Sequence, residues 1–157
     1  MIPIYLKLKG LYSYQNEQQI DFSSLTQSRL FGIFGSVGSG KSAILEAICL
    51  ALYGVAERFD SKRPSQYNLM NLKSDELYIE YIFKAKNALH YKFVLEAKRN
   101  KKHFDKISTF NRSAYKKENN DWTPLGKITA DEIIGLSYEH FKKTIIIPQG
   151  KFQDFLQ

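Results

Sequence analysis

The sequence is 157 residues long, enough for one domain with a hydrophobic core, and its 43% apolar and 14% aromatic content argues against intrinsic disorder. With 23 basic and 16 acidic residues, the formal charge is +7, which favours an acidic partner such as nucleic acid or a complementary protein. A basic part of a larger protein with an acidic remainder would show the same balance, so the charge alone does not choose between them.

The sequence lacks the signals of an oxidising compartment or a membrane. Cys49 is the single cysteine, so no disulfide framework or cysteine-ligated metal site is expected within the chain. Residues 1–7 lack the basic segment, apolar run and cleavage site of a signal peptide. The longest apolar segment, residues 43–53, contains Glu46 and falls short of the roughly 20 residues of a membrane-spanning helix. We therefore expect a cytoplasmic protein without a membrane partner.

Strand patterns and one helix pattern occupy the first part of the chain. Apolar and polar residues alternate over residues 4–9, which predicts a half-buried strand, and a second strand is predicted over residues 18–22. The continuous apolar run at residues 30–34 predicts a central strand that is covered on both faces. The helical spacing of apolar residues predicts a helix over residues 41–53, with Gly54 as its stop.

The middle of the chain is typical of an antiparallel meander. Residues 55–75 are polar and aperiodic, and an irregular connection is predicted there. Strand-like stretches follow at about residues 76–85, 89–99 and 106–116, separated by a turn-like segment and a basic segment. Three neighbouring strands with short connections predict the meander.

Turns and helix caps mark the elements that follow the meander. Residues 118–121 predict a turn, and Thr129 before an acidic first turn predicts a short helix. Ser137 predicts the cap of another helix that extends to residue 143. The apolar residues 144–147 predict a buried strand, ended by the proline that follows.

Residues 35–42 read Gly-Ser-Val-Gly-Ser-Gly-Lys-Ser, a complete G-x-x-x-x-G-K-S motif between a predicted strand and a predicted helix. The glycines let the backbone approach a polyphosphate closely, and the following helix N-terminus adds partial positive charge. Lys41 is predicted to reach the terminal phosphates, and the Ser42 hydroxyl is predicted to bind Mg²⁺, which prefers oxygen ligands. A polyphosphate nucleotide and Mg²⁺ are therefore the predicted ligands of this loop. The predicted nucleotide-binding residues are Gly35, Ser36, Gly38, Ser39, Gly40, Lys41, Ser42 and Ala43.

The sequence around this motif resembles one group of P-loop proteins. Two predicted strands precede the strand that leads into the loop, whereas nucleotide kinases place the loop after the first strand. Residues 6–11 (LKLKGL), 20–22 (IDF) and 45–54 (LEAICLALYG) resemble the start of SbcC-type ATPases. Residues 147–156 (IPQGKFQDFL) resemble the Q-loop of that family, with Gln149 in the glutamine position. The chain is therefore similar to the N-terminal lobe of an SMC-like ABC ATPase head from the DNA double-strand-break repair family.

This resemblance implies an α/β fold, a P-loop NTPase of the ABC/SMC-head type. Its N-terminal lobe would hold a central P-loop strand-helix unit and an antiparallel β-meander, and residues 1–157 would form that lobe. In the family the Q-loop glutamine joins the P-loop serine around Mg²⁺ and senses the γ-phosphate. The resemblance therefore assigns Ser42 and Gln149 to the metal, and Lys41 and Gln149 to catalysis.

Some features of the family pattern differ or are absent. Tyr12 and Val37 stand where many relatives have an arginine and a threonine or asparagine, but main-chain amides of the loop do not depend on side-chain identity. Residues 93–96 (FVLE) resemble a Walker B strand only superficially and are predicted to lie within the meander. Residues 135–137 are predicted to be a helix junction rather than a signature motif. The resemblance implies that both missing motifs lie in a C-terminal lobe, beyond a coiled coil that would follow the present sequence.

The implied mechanism needs further protein components. Two completed heads would sandwich two ATP molecules as a homodimer, with an SbcD-type nuclease as partner and DNA ends as substrate, and the lobe alone would be nearly inactive. A basic cluster at a predicted turn could bind DNA phosphates regardless of sequence, although a solvated hairpin tip would look the same. The cluster consists of Lys98, Arg99, Lys101, Lys102, His103 and Lys106.

Two other functions fit parts of the sequence. An SMC-like clamp would organise DNA without nuclease chemistry, and a globular hinge in the downstream coil would distinguish it from a repair protein with a Cys-x-x-Cys hook. The ATP-binding domain of a membrane transporter would carry its signature and Walker B motifs within the next hundred or so residues, without intervening heptads.

Overall fold

Six antiparallel strands form the framework of the described part of the protein. We analysed a computed structural model, which describes residues 1–26, 32–56, 69–104, 106–126 and 129–145. The strands are β1 (Ile2–Lys9), β2 (Gln18–Asp21), β3 (Glu76–Lys84), β4 (His90–Arg99), β5 (Ile107–Glu118) and β6 (Asp121–Leu125). They form one sheet with the order β2-β1-β3-β4-β5-β6. The helices in the described ranges are α1 (Lys41–Tyr53), α2 (Ala130–Ile134) and α3 (Tyr138–Ile145).

One face of the sheet is apolar because the strand sequences alternate. Ile79, Tyr81 and Phe83 of β3 are fully buried, and the residues between them face the other side of the sheet. The Phe83 ring stacks on its neighbours, with centroid distances of 5.5 Å to Tyr81, 5.9 Å to Tyr91 and 5.9 Å to Phe93. Strands β3, β4 and β5 pair in sequence order, so the predicted meander is confirmed.

Helix α1 packs on this apolar face and has the bounds that the sequence predicts. Leu50 is completely buried, and Gly54 ends the helix in the left-handed conformation, with φ 72°. Arg112 of β5 donates hydrogen bonds to the carbonyl oxygens of Ala51 and Leu52 in the last turn. A cation at a helix C-terminus satisfies carbonyl groups that have no partner within the helix. The C-terminal end of α1 is therefore tied to the sheet.

The strand β6 was not predicted, although the turn that leads into it was. Asn119 and Asn120 both have positive φ, 47° and 71°, as a two-residue hairpin turn requires. This turn brings residues 121–125 alongside β5. Pro124 is tolerated there because β6 is an edge strand of the sheet.

The two short helices near the end of the described chain start as predicted. Thr129 and Glu132 form a capping box at the start of α2, in which the Thr129 amide donates to the Glu132 carboxylate at 2.9 Å. Tyr53 connects α1 to this region, because its hydroxyl donates to the Leu136 carbonyl and its ring lies 5.4 Å from that of Phe141. None of the helices in the described ranges is long and apolar enough to cross a membrane.

Two predicted strands are wrong in the parts that the structure describes. Thr144 and Ile145 continue α3 instead of starting a strand, because a short apolar run does not distinguish a strand from the end of a helix. Residues 32–34 belong to no strand, and Phe34 is 93% exposed. A buried central strand needs neighbours on both sides, and no strand in the described ranges pairs with these residues. The remaining residues of both predicted strands lie outside the described ranges.

A buried arginine fixes the base of the hairpin between β4 and β5. Arg99 is only 5% exposed, and its guanidinium donates to three carbonyl oxygens, of Ser74 at 3.1 Å, Phe104 at 2.9 Å and Asn71 at 3.0 Å. The guanidinium carbon also lies 4.1 Å from the centre of the Phe104 ring. Arg99 therefore joins the hairpin loop to residues 71–74 instead of projecting into solvent.

We expect Arg99→Met to lower the free energy of unfolding by about 2–4 kcal/mol, because it removes three charged hydrogen bonds to carbonyl groups that are buried or partly buried. Urea unfolding of the purified protein measures this change. Lys101→Met is the matched control, because Lys101 is exposed in the same hairpin and its replacement should change stability by less than about 0.5 kcal/mol. Equal effects of the two substitutions would contradict the structural role of Arg99.

Candidate nucleotide-binding site

The loop of residues 35–42 leads directly into the N-terminus of α1. Gly38 and Gly40 have φ of 83° and 90°, a left-handed conformation that L side chains rarely adopt. Gly40 is the N-cap residue of α1, and no side chain caps the helix there. The first turn also has no acidic residue. These features keep the positive end of the helix dipole open to an anion.

The Lys41 ammonium lies inside the loop. It donates to the carbonyl oxygens of Gly35 at 2.8 Å and Ser36 at 2.7 Å, and lies 3.4 Å from the Ser39 hydroxyl. The ammonium therefore holds the loop closed around a positive charge. A polyphosphate that approached the helix N-terminus would meet this charge and the loop backbone together.

The other predicted residues lie close to this ammonium. Ser42 is exposed in the first turn of α1, directly after Lys41. Ala43 is buried, and its amide donates to the Gly40 carbonyl at 3.0 Å, so it contributes backbone to the helix start. Val37 is fully exposed at the apex of the loop. Gln149 lies outside the described residues.

Sequence reasoning missed the contacts of two tyrosines with this end of α1. The Tyr12 hydroxyl donates to the buried Glu46 carboxylate at 2.6 Å, and the Tyr14 hydroxyl donates to the Gly40 carbonyl at 3.2 Å. In the sequence, Tyr12 is distinguished only by its departure from the family pattern, and Tyr14 belongs to no recognised motif. Both contacts join residues more than 20 positions apart, so no local pattern could have revealed them.

The basic cluster of the β4–β5 hairpin divides into two kinds of residue. Arg99 is buried, so its predicted role in binding phosphates is wrong: its donors are used by main-chain carbonyl groups. The amides of Lys102 and His103 donate to the Asn100 side chain, which shapes the tip of the hairpin. The cluster residues that remain exposed are Lys98, Lys101, Lys102, His103 and Lys106.

The motif that resembles Walker B and the one that resembles a signature have the structural roles that the sequence predicts. Residues 93–96 lie within β4 and pair with β3 and β5. Gly135 ends α2 in the left-handed conformation, and the Ser137 carbonyl accepts the Phe141 amide in the first turn of α3.

Together, the sheet, the glycine loop and the helix behind it define an α/β P-loop NTPase lobe of the ABC/SMC-head type. The chain belongs to the AAA domain family, whose model matches residues 5–157. The predicted resemblance to SbcC-type ATPases is confirmed, and it extends over the whole chain.

The relatives that this chain matches are longer proteins. The chain is 36% identical to the SbcC component of the nuclease SbcCD of Clostridium acetobutylicum over 174 residues, which cover 100% of this chain and 14% of the relative. It is 30% identical to a probable DNA double-strand break repair Rad50 ATPase of Aquifex aeolicus, over 100% of this chain and 15% of the relative. A solved structure of the recombination mediator protein RecF with ATP shares the fold, with a TM-score of 0.52, 17% identity, and coverage of 78% of this chain and 27% of that one.

The two left-handed glycines of the loop should respond differently to substitution. A Cβ at Gly40 would lie 2.7 Å from the Tyr14 hydroxyl oxygen, whereas a Cβ at Gly38 would meet nothing within 4 Å. We expect Gly40→Ala to cost about 2–4 kcal/mol of stability, from backbone strain plus overlap, and Gly38→Ala only about 1–2 kcal/mol, from strain alone. Urea unfolding without nucleotide measures both, and equal losses would contradict the close packing of Tyr14 on Gly40.

Proposed function

We propose that this chain is the ATP-binding lobe of a DNA-repair ATPase. The observation that carries the proposal is the Lys41 ammonium, seated inside a glycine loop at the uncapped N-terminus of α1. Anion binding at such a terminus draws on backbone amides, the helix dipole and a charged side chain at once. The proposed ligand is the triphosphate of ATP.

Each part of the loop would make a different contact with the nucleotide. The backbone of residues 35–40 would surround the β- and γ-phosphates, and Lys41 would exchange its carbonyl partners for phosphate oxygens. Ser42 would hold Mg²⁺, which neutralises phosphate charge, and Gln149 would complete the metal site and sense the γ-phosphate. Lys41 and Gln149 are thus the residues of this chain to which we assign roles in catalysis.

The proposed role of the whole protein extends beyond the present chain, which spans 14% of the Clostridium relative. The names of the relatives, a component of a nuclease and a double-strand break repair ATPase, support a function in DNA repair. We propose that a C-terminal lobe of the same protein completes the head, and that two heads dimerise around ATP. ATP-driven dimerisation would then control how DNA ends reach an SbcD-type nuclease.

The exposed lysines of the β4–β5 hairpin are the proposed DNA contacts of this lobe. Lys101, Lys102 and Lys106 lie exposed on a loop whose base is fixed by Arg99. The Asn100 amide also donates to the Lys106 carbonyl at 2.8 Å, so a backbone hydrogen bond closes the base of this loop. Such a basic tip would contact the phosphate backbone without reading bases.

Lys41→Ala should weaken ATP binding by about 10- to 100-fold, because one charged hydrogen-bond donor to the phosphates is lost. Isothermal titration calorimetry with and without Mg²⁺ measures this, and Ser42→Ala should reduce mainly the gain in affinity from Mg²⁺. Lys86→Ala, in the exposed turn after β3, is the matched control and should bind ATP as the unmodified chain does.

We also expect this chain by itself to hydrolyse ATP at a barely measurable rate, because the proposed catalytic site needs a second lobe. A phosphate-release assay measures the rate. Rapid hydrolysis by the unmodified chain that is lost in Lys41→Ala would contradict the need for a second lobe.

The DNA contacts can be tested through their dependence on salt. DNA affinity falls as salt rises, and each phosphate contact adds about 0.9 to the steepness of a plot of log affinity against log salt for duplex DNA. Replacing Lys101, Lys102 and Lys106 by glutamine should therefore make this fall less steep by about 2 to 3. Fluorescence anisotropy of a labelled duplex with the full protein measures the slope. The control replaces three exposed lysines elsewhere, and an equal change in both variants would reject the hairpin as the contact. The control positions are Lys86, Lys117 and Lys143.

A further inference from the structure

The connection between β1 and β2 places an aromatic ring against the phosphate loop. The Tyr14 hydroxyl donates to the Gly40 carbonyl oxygen, 3.2 Å away. A Cβ on Gly40 would lie 2.7 Å, 2.8 Å and 2.9 Å from three atoms of the Tyr14 phenol. The ring therefore occupies the space that a side chain at position 40 would need, and the contact is both polar and steric.

Gly40 is the point where the loop becomes a helix. Its carbonyl accepts the Ala43 amide at 3.0 Å, in the turn that begins α1. The orientation of the Gly40 peptide group therefore sets the direction in which the next amides point. A contact that holds this carbonyl also aims the amides toward an anion at the helix N-terminus.

Tyr14 is itself held by its own turn. Its amide donates to the Leu11 carbonyl at 2.8 Å, and Leu11 is completely buried and forms a bridge with Met70. A phenol is protonated at neutral pH and can donate, and partial burial raises the pKa of the Tyr14 phenol further above its ordinary value. The phenol therefore reaches Gly40 from a fixed base rather than from a mobile loop.

We propose that Tyr14 is a positioning residue for the phosphate cradle, which holds the Gly40 peptide so that the loop amides face the phosphates of ATP. This role rests on the proposed ATP-binding function and does not require Tyr14 to touch the nucleotide. The ring packs where a side chain at position 40 would lie, and the hydroxyl holds the Gly40 carbonyl.

Tyr12→Phe is the matched control for a test of this role. Tyr12 lies in the same turn and also donates its hydroxyl to α1, but to Glu46 in the second turn rather than to the loop. Tyr14→Phe and Tyr12→Phe each delete one hydroxyl from the turn and keep the ring. If Tyr14 had a purely structural role, both variants would be less stable than the unmodified chain, and the two variants would bind ATP with the same affinity.

The experiment compares ATP affinity with urea unfolding in the absence of nucleotide, in the full chain. Tyr14→Phe should lower ATP affinity by about 2- to 10-fold, the loss of one hydrogen bond, while its unfolding midpoint falls no further than that of Tyr12→Phe. Tyr12→Phe should bind ATP within about twofold of the unmodified chain. Tyr14→Ala, which also loses the ring, should bind ATP more weakly than Tyr14→Phe.

Equal ATP affinity in Tyr14→Phe and Tyr12→Phe would overturn the positioning role, whether or not Tyr14→Ala folds. Lys41→Ala separates this failure from that of the proposed function. If the unmodified chain and Lys41→Ala bind ATP equally, or neither binds, the nucleotide site itself is rejected. If only Lys41→Ala loses binding while Tyr14→Phe binds normally, the site stands and Tyr14 does not position it.

Discussion

The proposed nucleotide site requires the N-terminus of α1 to be open to an anion and yet held in place. The contacts that hold α1 in the described chain follow from this requirement. Helices usually satisfy their first amides with a side-chain cap, but Gly40 provides none. The structure holds the helix by other means. Buried residues fasten its middle to the sheet, Arg112 ties down its last turn, and the phenols of Tyr12 and Tyr14 reach its first two turns.

The same anchoring extends to the basic hairpin. The Asn71 side chain donates to the Tyr12 carbonyl, and the Asn71 carbonyl accepts the guanidinium of Arg99. A continuous set of hydrogen bonds thus joins the base of the hairpin to the turn that braces α1. The proposed DNA contacts and the proposed nucleotide site are therefore connected through one set of hydrogen bonds, with the exposed lysines at its edge.

Residues 32–34, which precede the glycine loop, are not part of this hydrogen-bonded framework. Phe34 is almost fully exposed, although it is apolar and ends a run whose sequence predicts burial. The described part of the sheet offers no strand to pair with residues 32–34. An apolar run is buried only where other strands or helices cover it. The sequence pattern of the run does not show whether such elements lie beside it.

The sequence by itself determined the elements whose causes are local. Helix α1 has the predicted bounds because its apolar spacing and Gly54 act within a few residues, and the loop of residues 35–42 carries its chemistry in consecutive positions. Alternation likewise determined the meander. Only the tertiary structure decided which side chains meet across the fold. Arg99 is buried among carbonyl groups and Tyr14 lies on Gly40 because strand register and helix packing bring distant residues together, and no local period encodes those distances.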